Sequence, residues 1–265
     1  MNTTLWQSLL PLLIVNGLAL STVLIYLFIH KPSSPSQTEV ELEAELEKRH
    51  DSKLLNRWFK KYWYWVTSPV EKLALKFHLT PNFFTSLGFF ICILSAIAYG
   101  YGSIAVGGWC VILGGTCDMF DGRVARLTHS SSPAGAFYDS VMDRYGELVT
   151  FVGLAILFHS HWFLWFILAS IVGSVMVSYA RARGEAVGVL FTGGAMQRPE
   201  RIVYLGVGSI FSPIFRQIFS PFHPALDCEF LLYAAVILIA VMTNWTAVYR
   251  TFAVYKELQK KSLGV

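Results

Sequence analysis

DMFDGRVARLTHSSSPAGAFYDSVMD, running from Asp118 to Asp143, decides how this chain is read. The sequence around it is oily, so four aspartates at the edges of two apolar helical segments have no cheap partner. A charge of this kind at the centre of a membrane helix costs roughly 2.5 to 3.5 kcal/mol on insertion-based scales. Four of them strain any purely structural account. Asp118 and Asp121 stand three apart, and Asp139 and Asp143 four apart. Each pair therefore lies on one face of its own helix and can converge on a shared ion. The stretch reads as an active site.

Composition bounds the setting. The chain has 265 residues, is 54% hydrophobic and only 14% charged, and has a mean hydropathy of +0.51. That places it with polytopic membrane proteins, as an all-α bundle. The net charge of +4 matters as a distribution rather than a total, and nucleic acid is not an expected partner. Cys92, Cys110, Cys117 and Cys228 show no paired spacing and read as small buried hydrophobes. Cys117 adjoins the aspartate stretch, but packing is preferred there over a soft-metal ligand.

Working outward, a helix from Ile104 to about Arg126 carries the first aspartate pair in its final turns. A helix from Ala134 to Phe158 carries the second pair in its first turns, so both face one side of the membrane. Upstream, Thr80 reads as an N-cap and Pro81 as first-turn residue of a helix reaching about Tyr101. Asn82 and Thr85 lie near one face of that end, where capping structure and a polar ligand are equally good accounts. A Gly102-Ser103 turn follows. Downstream come helices from Phe163 to about Arg183, from Arg198 to Phe219 and from Phe230 to about Tyr249, with a glycine-containing loop over 184–197.

Three segments precede this six-helix core. Residues 1–30 hold an apolar run from Leu5 to Ile29, long enough to span a bilayer and without signal-peptide features, so it reads as an extra transmembrane anchor. Residues 31–52 read as a polar, then acidic, connector. Over 53–78, Trp58, Tyr62, Trp63, Tyr64 and Trp65 interleave with Arg57, Lys60, Lys61, Lys72 and Lys76, which fits an amphipathic helix lying on the membrane. The core membrane domain is then 53–265.

Basic residues cluster at alternate ends of successive helices, while the opposite ends carry only Arg216. The aspartates and the C-terminus are therefore expected on the cytoplasmic side of the cell (inner) membrane, with the N-terminus outside.

Four carboxylates this close repel unless neutralised, and two divalent cations match their charge. All-oxygen ligation favours Mg²⁺ or Mn²⁺. Gly122, Ala125 and Gly135 keep the neighbouring surface narrow, so a bulky ligand can approach the backbone. Arg126, two turns beyond Asp118, can reach a phosphate by paired hydrogen bonds. The whole suits a metal-bridged pyrophosphate.

The pattern D-x2-D-G-x2-A-R-x8-G-x3-D-x3-D is matched at Asp118, Asp121, Gly122, Ala125, Arg126, Gly135, Asp139 and Asp143. It resembles that of the CDP-alcohol phosphotransferases, and the resemblance extends from about Lys53 to the tail. It implies that Asp118, Asp121, Asp139 and Asp143 hold the metals and that Asp143 is also the general base. Gly122, Arg126 and Ser132, with Asn82 and Thr85, would contact the CDP-linked lipid, CDP-diacylglycerol. The implied reaction is in-line attack of an acceptor hydroxyl on the lipid-side phosphorus, with CMP leaving. A homodimer among membrane lipids is also implied.

Arg181, Arg183, Arg198 and Arg201 supply four further cations on the aspartate side. They read either as positive-inside flanking charge or as a pocket for a small anionic alcohol. SYARARGEAVG and QRPER are similar to the phosphatidylinositol-phosphate synthase branch, although Arg181 replaces an expected lysine and Gly184 an expected alanine. Inositol phosphate is the first-choice acceptor, and glycerol 3-phosphate, used by phosphatidylglycerophosphate synthases, the second. His159 and His161 sit at the other membrane face without a third ligand and read as an interfacial turn. A divalent-cation transporter is the alternative of another class, but it favours ligands at the bilayer midplane. An inactive scaffold conflicts with the intact carboxylate set.

Overall fold

Proline and glycine punctuation divides the apolar sequence into helices. Thr80-Pro81 and Ser132-Pro133 each put an extended residue ahead of a proline whose fixed φ suits a first turn. Gly102, at φ +77°, takes the left-handed turn that reverses the chain between the first two helices. In the computed structural model the described residues are 6, 9–14, 17, 21–22, 73–191, 193–219 and 229–262. Among them all regular structure is helical: α1 (Pro81–Gly100), α2 (Ile104–Leu127), α3 (Pro133–Leu157), α4 (Leu164–Ala186), α5 (Arg198–Phe219) and α6 (Phe230–Ser262).

Five of these helices are long and apolar enough to cross a membrane, and the protein is an integral membrane protein. The exception is α3, which has the length, 25 residues, but carries Asp139, Asp143, Arg144 and Glu147. The expected helix ends hold within a few residues except at α6. That helix continues to Ser262, because TFAVYKELQKKS is rich in good helix formers. Its 33 residues make a rod of about 50 Å, longer than a hydrocarbon core of about 30 Å.

Helix α1 lies along both α2 and α3, α5 packs on α2 and α6, and α4 packs on α6. Without a water-driven force between helices in lipid, close backbone approach and interhelical hydrogen bonds supply the adhesion. A Cβ at Gly153 of α3 would collide with the Ala96 backbone of α1, and one at Gly108 of α2 would come within 2.9 Å of the Gly206 carbonyl oxygen of α5. Ser95 donates to the Gly107 carbonyl at 2.9 Å, and the Tyr99 and Ser209 hydroxyls bond at 2.7 Å. Tyr99, Phe151, Leu154, Phe163, Ile167 and Val236 are among the side chains that fill the core.

Residues 10–79 form a separate unit, in which Leu10, Leu13 and Ile14 are exposed helical residues and Ala74 is buried beside exposed Leu73 and Leu75. Much of the expected anchor, all of the 31–52 connector and most of the interfacial helix lie outside the described residues, as does Cys228.

Candidate active site

The hairpin between α2 and α3 is closed locally at both ends. After α2 the chain turns through His129 at φ +51°, and the Ser130 N–H reaches back to the Ala125 carbonyl at 3.0 Å, ending the helix in a Schellman-like turn. Ser132 then caps α3, its hydroxyl accepting from the Gly135 N–H at 3.1 Å. Two helices thus leave a five-residue link, 128–132, in opposite directions, which sets their aspartates opposite one another.

One carboxylate oxygen each from Asp118, Asp121 and Asp139 lies within 4.8 Å of the others. Asp121 is buried, and its Oδ2 accepts from the Thr85 hydroxyl of α1 at 2.7 Å. Asp139 Oδ1 is buried with no hydrogen-bond partner. A carboxylate with an orphaned buried oxygen, standing beside two further carboxylates, is costly in a low-dielectric site unless a cation joins them. The donor set therefore fits a hard divalent ion. Asp143 meets the cluster through Arg198, whose Nη1 lies 2.7 Å from both Asp118 Oδ2 and Asp143 Oδ2.

The residues expected at the lipid substrate gather beside the aspartates. A Cβ on Gly135 would stand 3.2 Å from Ser132 Oγ and 3.9 Å from Asn82 Oδ1, so α1 and the start of α3 approach closely there. A Cβ on Gly122 would stand 3.5 Å from Arg126 Nη1, which keeps the guanidinium over the bare turn. Ala125 lies in the same turns of α2. Thr80 occupies the N-cap position of α1, but its side chain makes no capping bond.

The four acceptor arginines separate into three environments. Arg181 and Arg183 are exposed at the end of α4, Arg181 pairing with Glu185 at 2.9 Å. Arg198 lies on the carboxylates. Arg201 differs most from expectation: it is only 3% exposed and forks onto Glu147 of α3, with one of its two bonds at 2.9 Å and a further bond to the Met196 carbonyl at 3.3 Å. Its guanidinium joins α5 to α3, and Arg201 lines a small cavity together with Arg198 and Glu147.

Glu147 and Arg250 were missed by residue-level reading. Glu147 continues the Asp139, Asp143 spacing by one more turn, a signal present in the sequence. Arg250 is buried where its Nε and Nη1 donate to the Gly193 and Val177 carbonyls at 2.7 and 3.0 Å, and no local pattern marks that pairing. At the opposite face, His161 packs against Phe158, Trp162 and Tyr233, as expected of an interfacial turn.

Residues 78–253 match the model of the family described as CDP-alcohol phosphatidyltransferase. A phosphatidylinositol phosphate synthase of Mycolicibacterium smegmatis is 31% identical over 200 residues, covering 71% of this chain and 83% of that one. The crystal structure of the Mycobacterium tuberculosis phosphatidylinositol phosphate synthase in complex with manganese and citrate superposes with a TM-score of 0.62 at 29% identity, over 71% of this chain and 88% of that one. The same enzyme with CDP-DAG bound gives a TM-score of 0.61 at 29% identity, over 72% and 94% of the two chains.

Proposed function

Because this chain belongs to the CDP-alcohol phosphatidyltransferase family, we propose that the carboxylate cluster is its catalytic centre, serving transfer of a phosphatidyl group from CDP-diacylglycerol to inositol phosphate. The protein is a phospholipid-synthesising transferase that releases CMP. The observation that carries the site assignment is the orphaned Asp139 Oδ1 beside Asp118 and Asp121.

Asp118, Asp121, Asp139 and Asp143 would hold the divalent ions, two by charge matching and either Mn²⁺ or Mg²⁺. Such ions neutralise the pyrophosphate and the departing CMP. The protein's own contribution is placement. Thr85 pins Asp121, leaving the other carboxylate oxygen for a ligand. Asn82, Ser132 and Gly135 form a close-fitting wall, and Arg126 over Gly122 offers paired donors to a phosphate. Asp143 takes the proton from the acceptor hydroxyl as that oxygen bonds to the lipid-side phosphorus. The bond from that phosphorus to the CMP oxygen breaks, and CMP leaves with the electron pair.

Arg181 and Arg183 at the mouth, with Arg198 deeper, present cations to the acceptor's phosphate, and Arg201 positions α5 through Glu147. The basic residues flanking this end favour the cytoplasmic face of the cell membrane.

The test is CMP release by purified protein given CDP-diacylglycerol and Mn²⁺ or Mg²⁺, with inositol phosphate, glycerol 3-phosphate, inositol and serine competing as acceptors. Chelation should abolish release and either ion restore it. Preference for glycerol 3-phosphate would move the protein to the phosphatidylglycerophosphate branch, and no metal-dependent release with any acceptor would refute the centre.

A further inference from the structure

The end of the bundle that holds the aspartates has a second concavity that shares no residue with them. Between the α4–α5 loop and the outer turns of α6 lies a cavity of about 410 Å³, lined by Gly188, Leu190, Phe191, Lys256, Lys260 and Lys261 among others. Its shape is held. Phe191 meets Tyr249 edge to face at 5.6 Å, and Lys261 Nζ donates to the Gly188 carbonyl at 2.7 Å, tying loop to helix. Three lysines face a single glutamate there. Glu257 stands 3.8 Å from Lys260 with both side chains about half exposed, a pairing of little strength that leaves the cavity cationic.

An exposed apolar face of α6 that meets this cavity at Lys256 narrows the choice of ligand. Val241, Trp245, Val248 and Phe252 recur at steps of four, three and four along α6 and so share one face, all more than half exposed. Tyr255 and Lys256 continue that face, and Lys256 also lines the cavity, with Lys260 one turn further along α6. Read outward along the helix, the face runs from aliphatic and indole through aromatic to ammonium groups. Acyl chain, interface and phosphate follow one another in the same order across a leaflet. A soluble anion would use only the lysines, whereas a phospholipid uses the whole face.

We propose that this cavity binds the headgroup of an anionic phospholipid of the surrounding leaflet, whose chains lie along the Val241 to Phe252 face. It is a lipid site separate from the catalytic one and does not rest on the transferase reading.

Native mass spectrometry of the detergent-purified full chain, titrated with phosphatidylglycerol or phosphatidylcholine, tests this. Phosphatidylglycerol should be retained in preference, and Lys256→Gln/Lys260→Gln/Lys261→Gln should weaken its retention on the order of 100-fold, about fivefold for each lysine. CMP release by that variant should persist, which shows that it is folded. Equal retention of the two lipids, or undiminished retention by the triple variant, overturns the proposal. Displacement of the lipid by excess inorganic phosphate also overturns it, because the site would then read phosphate alone. Independently of those lysines, chain-brominated phosphatidylglycerol should quench tryptophan fluorescence more in the parent protein than in Trp245→Phe. Equal quenching in the two would refute the placement of the chains.

Discussion

Arg198 Nη1 on α5 lies 2.7 Å from Asp143 Oδ2 on α3, so an arginine holds the carboxylate assigned the proton-accepting role. The same nitrogen is 2.7 Å from Asp118 Oδ2, so one guanidinium bridges two of the carboxylates proposed above to hold the metals. On that proposal guanidinium and metal compete for the same carboxylates.

Removing the competitor should therefore tighten metal binding. Arg198→Gln is expected to bind Mn²⁺ roughly 10- to 100-fold more tightly, the scale of one hydrogen bond to a charged group. Electron paramagnetic resonance titration reads this without turnover. Weaker Mn²⁺ binding in the variant would show that Arg198 supports the metal site instead of contending for it.

Asp143→Asn keeps the shape and an acceptor oxygen for Arg198 while removing basicity. CMP release should fall about 10²- to 10⁴-fold, as for loss of a general base, with the thermal midpoint little changed. A rate within a few-fold of the parent would take the proton-accepting role from this residue.

Arg201 invites the opposite signature. Its fork onto Glu147 is a buried ion pair, and cutting one partner away leaves an uncompensated charge. Arg201→Ala should destabilise the detergent-solubilised protein by about 3 to 5 kcal/mol, whereas Arg201→Met with Glu147→Leu should recover most of that loss. Unchanged stability of the single variant, with a selective rise in the inositol phosphate KM, would return Arg201 to the acceptor pocket.

Gly153→Leu tests the close approach of α3 to α1 at Ala96. Its side chain must displace the Ala96 backbone, so destabilisation of at least about 1 to 3 kcal/mol is expected, with activity falling in parallel. A variant of normal thermal stability would show that the two helices can part freely.

Helix periodicity and punctuation made the six helices and the aspartate hairpin legible, because Ser132-Pro133 and Gly102-Ser103 act within a few residues. The convergence of Asp118, Asp121 and Asp139 was readable for the same reason, since three- and four-residue spacings on a short hairpin leave few alternatives. The arginines were not so readable. Whether Arg201 faces a ligand or Glu147 depends on how α5 is rotated against α3, and that is set by contacts such as Gly108 against Gly206. The far end of α6 escaped notice because apolarity ends at the membrane surface while helicity, carried by glutamate, glutamine and lysine, does not.

The charges on α3 also bear on how the protein is made. Helices leave the ribosome in chain order, so Asp139, Asp143 and Glu147 emerge before α5 brings Arg198 and Arg201. Until then α3 is a poor candidate for stable residence in lipid. Its integration should depend on a later helix: glycosylation mapping of chains truncated after α4 should find α3 incompletely inserted, and of chains extended through α5 fully so. Assembly of the membrane topology and assembly of the reaction centre are, on this view, a single biosynthetic event.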